Sequence, residues 1–147
     1  MKQAGENSNS LKMVFRNRPE NEKIVRTTAA VFASVLDPTL EEISDIKTAV
    51  SEAVTNCIVH GYEGREGKIS LKCELNDNEL TIEVHDDGVG IDDIERAMEP
   101  MYTSKPQLER SGMGFSFMEA FMDELHVKSG KHSGTTVMMK KKIGVNN

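Results

Sequence analysis

The chain has 147 residues, of which 37% are hydrophobic and 29% charged, the size and balance of one soluble domain with a sizeable core. Its net charge of −6 works against contact with a nucleic-acid backbone, and the lack of Trp with only two Tyr leaves no base-stacking platform. No run is long enough to cross a membrane, and the polar start Met1 to Ser10 lacks the apolar core of a signal peptide.

Residues 1–10 (MKQAGENSNS) read as a disordered tail and 11–143 as a single domain. Leu11 to Arg16 suits a first strand. After Pro19, Asn21 is a candidate cap for a helix reaching about Leu36, with Ile24, Val25, Val31, Phe32 and Val35 near helical spacing. A longer helix is expected from about Leu40 to Val59. Thr39 and Glu42 give it a capping-box signature, and Gly61 marks its stop. Lys68 to Leu75 and Glu79 to His85 alternate apolar and polar residues around Asn76-Asp77-Asn78, the pattern of an antiparallel hairpin. A glycine turn follows at Asp86 to Gly90, then a short helix near Ile94 to Met98 and a loop from Pro100 to Ser111. Gly112 to Phe121 turns helical, and His126 to Ser129 with Thr135 to Lys140 form a last strand pair. Cys57 falls in the helical pattern and Cys73 in a strand, without zinc-type spacing, so both are expected as buried thiols in a reducing cytosol. The fold class is therefore α+β: one layer of helices on one face of a mostly antiparallel sheet.

The second helix carries a polar stripe. On a wheel of about 100° per residue, Asn56 lies roughly 40° and His60 roughly 80° from Glu52. Ile46, Val50, Ala53, Val54, Cys57 and Ile58 occupy roughly 100° to 240°, beside it. At such a boundary an Asn oxygen suits Mg²⁺ beside phosphates, and a Glu one turn away can take a proton from a hydroxyl. Ordinary boundary residues would give the same pattern, and His60 fits a helix-end donor.

Two glycine turns add to it. Gly88 and Gly90 let backbone approach a ligand, and the Asp86 carboxylate can accept from the exocyclic amine of adenine. Ser111, Gly112 and Gly114 open a helix whose N–H groups suit phosphate oxygens, with Lys105 and Arg110 nearby to neutralise charge. Each turn alone is also consistent with a tight bend. Residues 97–111 would read the same as a lid over the phosphates or as a solvated loop.

In order, Glu52-x-x-x-Asn56, Asp86-x-Gly88-x-Gly90, Gly112-x-Gly114 and Gly134-Thr135-Thr136 resemble the superfamily of gyrase, histidine-kinase and related ATPases, over roughly residues 12–142. Within it, SEAVTNCIVHGY (51–62), DDGVGI (86–91), MYTSKPQLERSGMGFSFMEAFMD (101–123) and GTTV (134–137) look like the anti-sigma kinases of endospore-forming bacteria. The resemblance implies an α/β sandwich, a cytoplasmic homodimer that holds a sporulation sigma factor inactive, and ATP-dependent phosphorylation of a serine on an anti-anti-sigma protein. It implies Glu52 as catalytic base, Asn56 as Mg²⁺ ligand, Asp86 as adenine reader and Thr135 as an adenine-side threonine. Gly88, Gly90, Gly112 and Gly114 match its glycine boxes, with Arg110 as a phosphate-proximal lid arginine. Glu22 and Arg26 fall in its partner-binding region. Departures are the longer polar start, Cys57, and Tyr102-Thr103-Ser104 in the lid. The alternatives are a sister kinase controlling a stress-response sigma factor and a nucleotide-gated binding module without catalysis. A histidine-kinase fragment would be expected to carry a preceding phospho-acceptor helix, and a gyrase or chaperone ATPase a following transducer domain.

Overall fold

Alternation along the hairpin builds the centre of the molecule. β2 (Lys68–Asn76) and β3 (Glu79–Asp86) pair antiparallel from Ile69 opposite Asp86 to Asn76 opposite Glu79. Ile69, Leu71, Cys73, Leu75, Leu80, Ile82 and Val84 all point to one face and are buried. Asp77 turns the chain with a positive φ of 56°, a conformation that Asp tolerates better than most residues. The computed structural model describes residues 8–90, 114–130 and 133–144.

β1 (Asn9–Arg16) lies along β2, β5 (Gly134–Lys142) along β3, and β4 (Glu124–Gly130) along β5. The order is β1-β2-β3-β5-β4, and every neighbouring pair is antiparallel. β1 begins two residues before the expected Leu11, because Asn9 and Ser10 still find partners in Leu75 and Glu74.

Three helices, α1 (Asn21–Ala33), α2 (Leu40–Asn56) and α3 (Gly114–Phe121), share one core with the inward side of the sheet. The result is the expected two-layer α+β sandwich. α2 starts at the expected cap: the Thr39 side chain accepts from the Glu42 N–H at 3.0 Å while Glu42 accepts from the Thr39 N–H at 2.8 Å. It ends earlier than expected as a regular helix, widening into a π-turn at Cys57–Gly61.

α1 departs further. Asn21 is its first helical residue and not its cap; the Asn21 amide donates to the Arg16 carbonyl at 2.9 Å and ties the helix to the end of β1. One 3-10 turn, Ser34–Leu36, carries it on to the expected end. Its buried face is Val25, Ala29, Ala30 and Ala33, while Ile24 and Val31 are exposed, Val31 to 64%. Ala49 and Ala53 on α2 are buried in the same core. Small side chains let helices approach closely, so three alanines face inward with Val25, Phe32 packs at the edge of the core, and Ile24 and Val31 stay outside.

Candidate functional site

α2 presents its polar stripe as expected. Ile46, Ala49, Val50, Ala53 and Val54 are buried, and Glu52, Asn56 and His60 are half-buried beside them. Asn56 is the last regular helical residue, so the π-turn starts directly after the expected metal ligand. Such widened turns recur at functional sites.

Asp86 ends β3 on the inward face and is only 2% exposed. A buried carboxylate needs partners. Its Oδ1 accepts from the Gly88 N–H at 2.8 Å, and the Cys57 thiol hydrogen-bonds the same carboxylate. Burial, then the neighbouring Asp86 charge, push the Cys57 thiol well up, so it stays protonated as a donor. Gly88 is required by contact: a Cβ there would lie 1.8 Å from the Gly61 carbonyl oxygen. Gly90 has φ +81°, and its absent Cβ would meet the Gly130 carbonyl of β4 at 2.4 Å.

Thr135 sits directly opposite Asp86 in the β3–β5 register and is buried. Its hydroxyl lies 2.8 Å from the Ser129 Oγ on β4. Asp86, Gly88 and Thr135 are thus brought to one end of the sheet, against the end of the helix that bears Glu52 and Asn56. Gly114 opens α3 as expected of the second turn. Lys105, Arg110, Ser111 and Gly112, with the expected helix at 94–98 and lid at 97–111, lie outside the described residues.

Glu22 and Arg26 lie on α1, where it meets α2. One Glu22 oxygen accepts from Arg26 Nη1 at 3.1 Å and from the hydroxyl of Ser51, the residue before Glu52. Arg26, Leu40, Ile43, Ser44, Lys47, Thr48 and Ser51 line a groove of about 370 Å³. Ser44, Lys47, Thr48 and Ser51 share one face of α2 at helical spacing, which a wheel could have shown, and the packing of α1 adds Arg26 to them. Gly61 and Tyr62 were missed too: Gly61 reads in sequence as a helix stop, yet both touch the Asp86 turn.

Among the described residues no group of three or more His, Cys, Asp or Glu is placed to hold a metal. The donor set still suits Mg²⁺ brought by phosphates. That ion takes one or two protein oxygens and keeps several waters, and Asn56 offers one neutral oxygen on a half-buried stripe.

An antiparallel sheet backed by helices, with an aspartate closing one strand beside glycine turns, defines the class of histidine kinase-like ATPases, and residues 15–141 match that domain family. The chain is 57% identical over 137 residues to an anti-sigma F factor of Clostridium acetobutylicum, covering 93% of this chain and 96% of that one. It is 54% identical to an anti-sigma F factor of a Thermoanaerobacter species, strain X514, over 95% of this chain and 97% of that one. This chain belongs to the anti-sigma F factor family of histidine kinase-like ATPases. A solved structure of the RsbU and RsbW domains of a Mycobacterium tuberculosis protein matches with a TM-score of 0.66 at 20% identity, over 92% of this chain and 32% of that longer one. At that identity the match concerns the fold alone.

Proposed function

We propose that this protein binds a sporulation sigma factor and holds it inactive, and that it phosphorylates a serine of an anti-anti-sigma protein with Mg-ATP. The observation that carries the reading is the buried Asp86 carboxylate in its glycine turn, opposite Thr135 and against the end of the helix bearing Glu52 and Asn56. The names of the relatives support the sigma partner.

In this reading Asp86 accepts from the adenine amine, and Thr135 lines the same side. Asn56 gives an oxygen to Mg²⁺, which would neutralise phosphate charge when bound. Lys105, Arg110, Ser111, Gly112 and Gly114 hold the phosphates, while Gly88 and Gly90 let the Asp86 turn pack against the Gly61 and Gly130 carbonyls. Glu52, one turn before Asn56, orients the partner's serine hydroxyl and takes its proton as the oxygen bonds to the transferred phosphoryl group. The product nucleotide, ADP, stays readable by the same Asp86.

Glu22 and Arg26 form the partner surface. A homodimer in the cytoplasm belongs to the same proposal, and no described helix is long and apolar enough to cross a membrane. The stress-response alternative uses the same chemistry with a different sigma factor, and the binding-module alternative has no use for a base at Glu52.

Glu52→Gln separates binding from transfer. It is expected to keep ATP affinity and lose phosphoryl transfer by roughly two to four orders of magnitude. Asn56→Ala is expected to lose both. Full kinase activity in Glu52→Gln would remove the base from the mechanism.

A further inference from the structure

We propose that Gly61 and Tyr62 are positioning residues for base recognition, setting the Asp86 carboxylate at the angle from which it reads an exocyclic amine. The proposal rests on Asp86 as the adenine reader and goes beyond it by saying what aims that carboxylate. The π-turn after Asn56 brings Gly61 against Asp86. A Cβ on Gly61 would lie 3.0 Å from Asp86 Cγ, 3.0 Å from Oδ2 and 3.1 Å from Oδ1. Nearly equal distances to all three atoms mean that the carboxylate lies flat over a bare Cα.

The backbone of the same residue holds the turn that follows. The Gly61 carbonyl accepts from the Val89 N–H at 2.8 Å, and the close approach of Gly88 to that carbonyl leaves no room for a side chain. Tyr62 holds the residue between them: its hydroxyl accepts from the Asp87 N–H at 2.9 Å and donates to the Lys68 carbonyl. Gly67 lets the ring lie close, since a Cβ there would be 2.2 Å from Tyr62 Cε1. From Asp86 to Val89, the chain is therefore gripped by two consecutive residues.

This grip bears on specificity because hydrogen bonds are directional. With Oδ1 engaged by the Gly88 N–H, the remaining acceptor sites point where the carboxylate plane sends them. An added methyl on Gly61 makes the carboxylate yield by a few tenths of an ångström. Gly61 shows no positive φ, so alanine introduces contact without backbone strain. The two residues also link the adenine end of the site to Asn56 through one short stretch of chain.

The test compares equilibrium affinities for ADP and for purine riboside diphosphate, which lacks the 6-amino group, in the full chain with Mg²⁺. Wild type is expected to prefer ADP by about tenfold or more, the increment of a hydrogen bond to a charged acceptor, and Asp86→Ala to abolish the preference. Gly61→Ala is expected to bring the ratio close to one while changing affinity for the purine analogue less than about threefold. Tyr62→Phe, which keeps the ring and removes only the hydroxyl, is expected to lower the ratio by about threefold and serves if Gly61→Ala does not fold. A merely structural role would weaken both nucleotides equally; an unchanged ratio in Gly61→Ala, or in Tyr62→Phe if alanine prevents folding, overturns the inference. A wild-type ratio of one, or one that Asp86→Ala leaves intact, removes the adenine-reading role of Asp86 itself.

Discussion

Asp86 shows what a buried carboxylate needs around it, and Cys73 what burial does to a thiol. Asp86 stands out in the sequence as a carboxylate ending a strand before Gly88 and Gly90, a pattern that by itself fits a tight bend equally well, and only the ordered set of motifs marks it as an expected adenine reader. Its support was not legible, because Cys57 and Gly61 reach it, and Tyr62 reaches the neighbouring Asp87 N–H, only through the fold. Cys73 lies under the helices on β2, and burial pushes its thiol up from 9.0 to about 12. Above pH 9.0 the unfolded chain releases this proton while the native chain keeps it, so stability is full below 9.0 and falls as pH rises toward 12. The slope for this thiol reaches up to about 1.4 kcal/mol per pH unit. Urea unfolding at about pH 8 and about pH 10 is expected to show a shallower pH dependence in Cys73→Ala than in wild type. Equal slopes would contradict the assignment.

α2 is the element on which the account turns, since its N-terminal cap, buried face, polar stripe and π-turn each serve a different partner. The cap was legible as Thr39 and Glu42. It is reinforced by the Gly144 N–H, which donates to the second Glu42 oxygen at 3.2 Å and ties the start of α2 to the segment after β5. The Thr39 N–H, above all, holds the Glu42 carboxyl below its usual range, so this contribution is lost as pH falls through the lowered value. Thr39→Ala is expected to cost about 0.5–2 kcal/mol and to lower the urea midpoint without changing the slope. An unchanged midpoint would mean that the cap is redundant. The inward face of α1 was only partly legible: Val25 and Phe32 were among the expected apolar positions, but alanine carries little hydropathy signal and Ile24 and Val31 outweigh Ala29, Ala30 and Ala33 in any periodicity. The π-turn left no trace either: one extra residue in a turn shifts phase only beyond Cys57, where the helix is already ending.

At the scale of the whole molecule, one helical layer on one antiparallel sheet sets the Asp86 end of the sheet and the α1–α2 groove against the same helix, α2. Ser51 faces Glu22 and the next residue is Glu52, so the proposed partner surface adjoins the expected base. The layer order was legible from the strand and helix patterns, and of the groove only the α2 side was. Arg26 suits a partner's carboxylates because about a third of its side chain, 34%, stays exposed while Nη1 is held by Glu22. Arg26→Ala is expected to weaken binding of both the sigma factor and the unphosphorylated anti-anti-sigma protein while leaving ATP affinity unchanged, as pull-down and nucleotide titration would read. Stable simultaneous binding of both partners to this surface would contradict a shared site. Phosphorylation places a dianionic group at such an interface and favours release.

The most direct measurement is transfer of label from the γ-phosphate of ATP to partner proteins encoded beside this one, followed by identification of the modified residue. Label is expected on a serine of the anti-anti-sigma protein, dependent on Mg²⁺ and absent with Glu52→Gln. Binding of ATP and both partners with no label on any of them would contradict the kinase reading and leave a nucleotide-gated binding module in its place.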